Sequence, residues 1–359
     1  MKFIEVISAW LNENFSNQEA IYLVVLIGLS LLALATLGGY LAPVLAGLVV
    51  AFLLQGVVKI LERHMPRIVA VYIAFAIFVS VVVALALMVL PLLWQQLSDF
   101  LSAAPAVVTR LRDGVAGLAE RFPDYITQDQ VAALLDQATR ELGNVSATVL
   151  ETAFSQVFSL LGLVIYLVLV PISVFFFLKD KDSLLAFMHS LLPRDRPLLN
   201  AVGEEMNEQL GNYVRGKVIE ILIVGSVTFV TFTLLDLNYA ALLAVIVGFS
   251  VLIPFIGAAI VTIPVFIVAV LQFGWTWDMG WIMAAYGVIQ FLDGNLLVPL
   301  LFSEVVDLHP ITIIVAVLAF GGLWGLWGVF FAIPLATLIK AIYRSWPKSV
   351  PAVAEDAVG

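Results

Sequence analysis

Eight apolar stretches dominate the chain, at about 21–38, 41–60, 68–93, 153–178, 217–237, 240–273, 281–301 and 310–342. A helix needs ~20 apolar residues to cross a bilayer. Inside hydrocarbon, moreover, each backbone amide must find its partner within the segment, which favours helices. The pattern predicts an all-α, polytopic membrane protein. Composition agrees, at 62% hydrophobic and 12% charged with a mean hydropathy of +1.09, an apolar excess too large for one aqueous core. Lipid is therefore the expected surrounding. The net charge of −9 opposes nucleic acid as a partner. Having no cysteine, the chain lacks disulfides, thiolate metal sites and cysteine nucleophiles. His64, His189 and His309 are too scattered in sequence to suggest a metal centre, and no cofactor is expected.

The first two stretches meet at Gly38-Gly39, with Pro43 opening the second, which predicts a tight helical hairpin. The third ends at Pro91 and runs into Trp94, Gln95 and Gln96, residues suited to an interface. Residues 1–20 read as an interfacial amphipathic helix, because Phe3, Ile4, Ile7, Trp10, Leu11 and Phe15 recur at helical spacing. Residues 21–93 form transmembrane scaffold helices. Residues 94–152 form an extracytoplasmic helical segment with an apolar stripe, broken at Pro123 and richer in acids than bases. A span at 153–178 leads to a loop at 179–216 that carries Lys179, Lys181, Arg194, Arg196 and Arg215. Lys59, Arg63 and Arg67 crowd an earlier loop, and Lys340, Arg344 and Lys348 follow the last stretch. The positive-inside rule places these three basic segments in the cytoplasm, together with both termini and the tail at 344–359.

Residues 240–273 and 310–342 are too long for one straight crossing and too short for two. Pro254 and Gly257 interrupt the first, and Gly321, Gly322, Gly325 and Gly328 the second. Both are expected to be re-entrant hairpins, beside about six full transmembrane helices. The two regions also repeat: Asp236-Leu237 recurs as Asp307-Leu308, Phe249 as Phe320, Gly257 as Gly328 and, after one gap, Ile263-Pro264 as Ile333-Pro334. A single span precedes each hairpin, and the two spans run in opposite directions. Repeat halves at 217–273 and 281–343 would then have inverted topology, the arrangement that places transporter sites near the midplane at broken helices. The tips are expected to flank the solute pathway.

Charges at membrane depth are costly, about 2.5–3.5 kcal/mol at a helix centre. Asp293, with Gln290 and Asn295, lies deep in the span at 281–301 and marks a candidate substrate or ion pathway; an interhelical hydrogen-bonded contact is the plainer alternative. Arg215, Lys217 and Glu220, at the start of another span, form a possible gate, with snorkelling and mutual pairing as the simpler role. His309 suits a helix start, and Asp236 and Asn238 an outer turn. Trp324 and Trp327 are expected to pack between helices.

Asp293-Gly294-Asn295-Leu296-Leu297-Val298-Pro299, then Leu308-His309-Pro310, Gly321-Gly322, Gly325, Gly328 and Ala332-Ile333-Pro334, resemble the autoinducer-2 exporter family, and within it the PerM-like permeases. Ile253-Pro254-Phe255-Ile256-Gly257 matches that family's Pro-aromatic-X-Gly element. The likeness covers most of the chain, most specifically from Arg215 to Pro347. Two positions depart from it: the family usually has Gly-Gln where Gly216-Lys217 stands, and commonly a glutamate where Asp293 stands. The resemblance implies a homo-oligomer in the bacterial inner membrane. It also implies export of a small polar signalling molecule for some members and sodium/proton exchange for others.

The favoured expectation is a secondary transporter exporting a small polar solute such as an autoinducer-2-like molecule. Sodium/proton antiport, with a monovalent cation as the partner, is the alternative. No Walker A pattern supports ATP-driven pumping. An intramembrane enzyme lacks a nucleophile–base pair, so the chain is not expected to be one. A non-transporting membrane scaffold would gain nothing from broken helices with polar tips.

Overall fold

The computed structural model describes residues 18–121, 160–194, 196–254, 256–302 and 308–345, with Gln137 and Arg140. Its elements are α1 (Gln18–Leu61), α2 (Arg67–Arg121), α3 (Leu160–Lys179), α4 (Lys181–Ser190), α5 (Pro197–Leu234), α6 (Ala240–Ser250), α7 (Ile256–Phe273), α8 (Trp277–Leu292), a π-helical segment (Asp293–Leu297), α9 (Val298–Phe302) and α10 (Pro310–Ser345). Among the described residues there is no strand, so the fold is all-α, and six helices are long and apolar enough to span a membrane. Those six run Ile21–Leu61, Arg67–Ala103, Pro197–Leu234, Ile256–Phe273, Trp277–Phe302 and Pro310–Arg344. Most of the amphipathic helix expected at 1–20 lies outside the described residues, as do most of the segment from Pro123 to 152 and most of the tail.

The hairpin expected at Gly38-Gly39 does not form. α1 is one helix of 44 residues, about 66 Å at 1.5 Å per residue. Glycine inside a helix costs only about 1 kcal/mol against alanine, and neither Gly38 nor Gly39 has a positive φ. A long apolar helix absorbs two such residues. One crossing carries the ends of a helix to opposite faces, so the side of residue 18 no longer follows from the basic loop at 59–67. Likewise α2 continues through Pro91 to Arg121. α5 begins at Pro197, well before the span expected at 217.

Both suspected breaks occur. α6 stops at Ser250 and α7 starts at Ile256, joined by a tight turn in which Leu252, Ile253 and Gly257 donate to the Phe249, Ser250 and Ile253 carbonyls. α10 is broken at Gly325, whose φ of 59° and ψ of −135° belong to a region essentially reserved for glycine. The chain folds back at each break. A Cβ on Gly257 would collide with the Ser250 carbonyl, and one on Gly328 with the Phe320 carbonyl. In a straight helix, residues that far apart in sequence would stand about 10 Å or more from each other. Phe249/Phe320 and Gly257/Gly328 are the pairs related by the sequence repeat, so the two halves reverse at corresponding places. The legs are unequal: α6 has 11 residues and α7 has 18, long for the half-length leg expected.

The chain divides into two compact units. One comprises residues 1–45, 180–213 and 305–359. There Leu23, Leu198 and Val202 are buried against Ile27, Met206, Leu338 and Ile342. The Leu198 amide donates to Glu19 Oε2 at 3.0 Å, capping α5. Trp324 stacks on Phe320 and Trp327 on Phe331, as packing residues do. The Ile311 amide donates to His309 Nδ1 at 3.3 Å, a helix-start role.

The other unit comprises residues 46–179 and 214–304. Its core joins Phe232, Val247, Val265, Val268, Ile282 and Tyr286. Gly225 and Gly248 let α5 and α6 touch backbone to backbone, a close approach that large side chains would forbid. Gln96 Oε1 accepts from the Leu242 amide and so caps α6. Asp236 and Tyr239 adopt positive φ, and Gln272 clasps their turn. Its Nε2 donates to the Asp236 carbonyl at 2.6 Å, and its Oε1 accepts from the Asn238 amide at 2.7 Å.

Candidate functional site

Lys217 and Glu220 stand one turn apart on α5 and share a face. They are 5% and 1% exposed, and Lys217 Nζ lies 2.7 Å from Glu220 Oε2. The pairing expected from their spacing is present, but snorkelling is not. The ammonium is buried against Glu220 rather than extended toward solvent. Arg215, two residues from Lys217 and so on another side of α5, sits over the Phe52 ring, 5.8 Å from its centroid. The suspected three-residue gate is therefore a two-residue pair.

The broken helix supplies the next partner. Val251, the first residue after α6, has no following helical turn to accept from, and its carbonyl accepts a hydrogen bond from Lys217 Nζ at 2.8 Å. Nζ also lies 5.2 Å from the centroid of the Phe302 ring, within reach of a cation–π attraction. Gly216 makes room for that ring: a Cβ there would fall 2.6 Å from it. Neither the Val251 carbonyl nor Phe302 was legible as a site residue. A backbone acceptor leaves no mark in side-chain identity, and an aromatic at a span end looks like any other.

Asp293 completes the cluster. It is within electrostatic reach of Lys217, which attracts it, and of Glu220, which it repels. It opens the π-helical segment, a distortion that is rare in helices and frequent at functional sites. Among the described residues its Oδ1 and the Nε2 of Gln290, one turn back, are buried without hydrogen-bond partners. Asn295 turns away: it is exposed, and its Nδ2 donates to the Phe291 carbonyl at 2.9 Å. Of the suspected pathway residues, Asp293 joins the Lys217–Glu220 pair, Gln290 shares its helix face, and Asn295 does not take part. The tip residues Pro254 and Gly257 belong to the turn that presents Val251. Gly321, Gly322, Gly325 and Gly328 lie at the other break, in the other unit.

One ammonium thus stands between a carboxylate and a carbonyl freed by a helix break, with the carboxylate of Asp293 within electrostatic reach. One carboxylate in excess of the base is a charge that a proton or a small monovalent cation would neutralise. Among the described residues no group of three or more histidine, aspartate or glutamate side chains is arranged to hold a metal ion.

Comparison with known proteins agrees with a transport protein. The family described as AI-2E family transporter matches residues 6–348. The chain is 44% identical to "Putative permease PerM" of Escherichia coli (strain K12) over 345 residues, covering 96% of this chain and 98% of that protein. It is 24% identical to "Putative transport protein YueF" of Bacillus subtilis (strain 168), over 84% of this chain and 82% of that one. "AI-2 transport protein TqsA" of Escherichia coli (strain K12) is 25% identical over 83% of each. With its apolar helices and a family match across nearly its whole length, this chain is a multi-pass membrane protein that belongs to the AI-2E transporter family.

Proposed function

We propose that this protein is a secondary transporter that moves a small polar solute out of the cell, coupled to a proton or sodium ion at the Lys217–Glu220–Asp293 cluster. One observation carries the reading: a buried charged cluster built onto a helix break, with the Lys217 ammonium bonded to the Val251 carbonyl. A charge change there reaches the hairpin backbone through a single hydrogen bond, which couples occupancy to conformation. An autoinducer-2-like molecule is the solute class favoured, from the name of the relative TqsA. Sodium/proton antiport without an organic solute is the second reading, and the unpartnered buried Oδ1 of Asp293 favours it.

The hairpins are read as re-entrant from one face each, with inverted topology, in the bacterial inner membrane and in a homo-oligomer. The C-terminal tail is cytoplasmic in this reading. Proteoliposomes with an imposed proton or sodium gradient test the function. Wild-type protein is expected to drive autoinducer-2 or the counter-ion across the membrane. Asp293→Asn should lose gradient-driven movement while keeping its assembly state. Full activity in Asp293→Asn refutes the coupling role, and wild-type protein that is inert toward both would refute transport of either kind.

A further inference from the structure

The oxygens around Lys217 are those a monovalent metal cation would choose. Sodium and potassium bind carboxylate and backbone carbonyl oxygens, and in membrane proteins the carbonyls come from places where a helix is broken. Lys217 Nζ is held by one of each, Glu220 Oε2 at 2.7 Å and the Val251 carbonyl at 2.8 Å. A third face is closed by the Phe302 ring, 5.2 Å away, and ring faces attract cations of any kind. Asp293 adds a second negative charge. The ammonium is almost wholly buried and lies far along α5 from either end. It is not a surface lysine tucked inward.

We propose that the Lys217 ammonium is a tethered cation occupying a monovalent-cation cradle formed by Glu220, the Val251 carbonyl and Phe302, with Asp293 beside it, and that removing the amine opens this cradle to sodium. The proposal rests on the coupled-transport reading for its place in a cycle, but not for its chemistry. Without the amine, the Glu220 carboxylate and the Val251 carbonyl face each other with no positive charge between them, and the Asp293 charge is still within electrostatic reach. A sodium ion restores the balance using the same oxygens. In the native chain the lysine keeps that position filled, so exchange is confined to Asp293.

The test uses purified full-length protein in detergent, melted in sodium chloride or in choline chloride at equal ionic strength. Lys217→Gln removes the charge, and Lys217→Met does so while keeping more of the side-chain volume. Both are expected to show a saturable rise in Tm with sodium over choline, the mark of a ligand bound to the folded state. They should also bind about one more sodium ion per chain than wild type in equilibrium dialysis with labelled sodium, as one opened site requires. Adding Glu220→Gln to Lys217→Gln should abolish both effects. Equal stability of the single variants in the two salts overturns the proposal, and so does a variant that stays unfolded in both. Sodium binding by the variants alongside inert wild-type protein in proteoliposomes would remove the transport reading and leave the cradle. Active wild type with sodium-blind variants would remove the cradle alone.

Discussion

Glycine at the two breaks can be separated by experiment from glycine elsewhere in the apolar helices. A Cβ at Gly257 meets the Ser250 carbonyl and one at Gly328 meets the Phe320 carbonyl. These obstacles are backbone, so no rotamer change relieves them, and overpacking of this kind costs about 1–3 kcal/mol. Gly280 and Gly287, both in α8, have nothing within 4 Å of an added Cβ. Alanine there gains helix propensity, up to about 1 kcal/mol. The two classes should therefore differ by roughly 1–4 kcal/mol, a Tm gap of about 2–8 °C at about 2 °C per kcal/mol for a large domain. Thermal unfolding of the four alanine variants in detergent measures it. Gly257→Ala and Gly328→Ala should fall together below wild type, because the repeat places them at corresponding points. Gly280→Ala and Gly287→Ala should match or exceed wild type. If Gly257→Ala melts with the α8 variants, the reversal between α6 and α7 is wrong. If only one break glycine is sensitive, the structural equivalence of the halves fails.

Buried charge supplies an asymmetric prediction: in sodium-free buffer Lys217→Met should cost about 3–5 kcal/mol, since it strands two carboxylates. Glu220→Gln leaves Lys217 with Asp293 and should cost only about 1–3 kcal/mol, so the reverse order in melting experiments would refute the cluster. Gln272→Ala removes both hydrogen bonds of the Asp236–Asn238 turn and should lower stability by about 1–2 kcal/mol, read by the same melts; no change would mean the turn holds itself. Single cysteines in this cysteine-free chain should label from opposite faces at Asp113 and Arg194, with Lys340 labelling from the Arg194 face, and a Lys340 cysteine reached only from the Asp113 face would overturn the second re-entrant hairpin.

Much of the fold was legible because hydrocarbon imposes a simple rule on backbone groups. Apolar length marked the helices, and Pro254, Gly257 and Gly325 marked the breaks, since each residue type has a local reason to interrupt or sharply turn a helix. Gly38-Gly39 failed as a marker for the same local reason read too strongly: glycine permits a turn without requiring one. Asp293 was legible from the cost of a charge at depth. Its meeting with Lys217 and Glu220 was not, because that depends on how α5 and the π-helical segment pack, and the segment has no periodicity signal of its own. The snorkelling expectation for Lys217 failed because Glu220 and the Val251 carbonyl hold its ammonium in a buried position, and a backbone acceptor leaves no mark in the sequence.

The charge count of the cluster also bears on leakage. With both carboxylates ionised, one ammonium against two anions leaves a net negative charge in a low-dielectric interior. An occupied cluster is neutral, and an empty one is not. A carrier that must pass the membrane midplane while empty would then face a steep electrostatic penalty, whereas the loaded carrier would not. On the coupled-transport reading, slippage, in which the hairpin would cycle without cargo and dissipate the driving gradient, would be suppressed by that difference. The excess carboxylate would therefore work as a safeguard on energy conservation in the host membrane, beyond any part it has in binding.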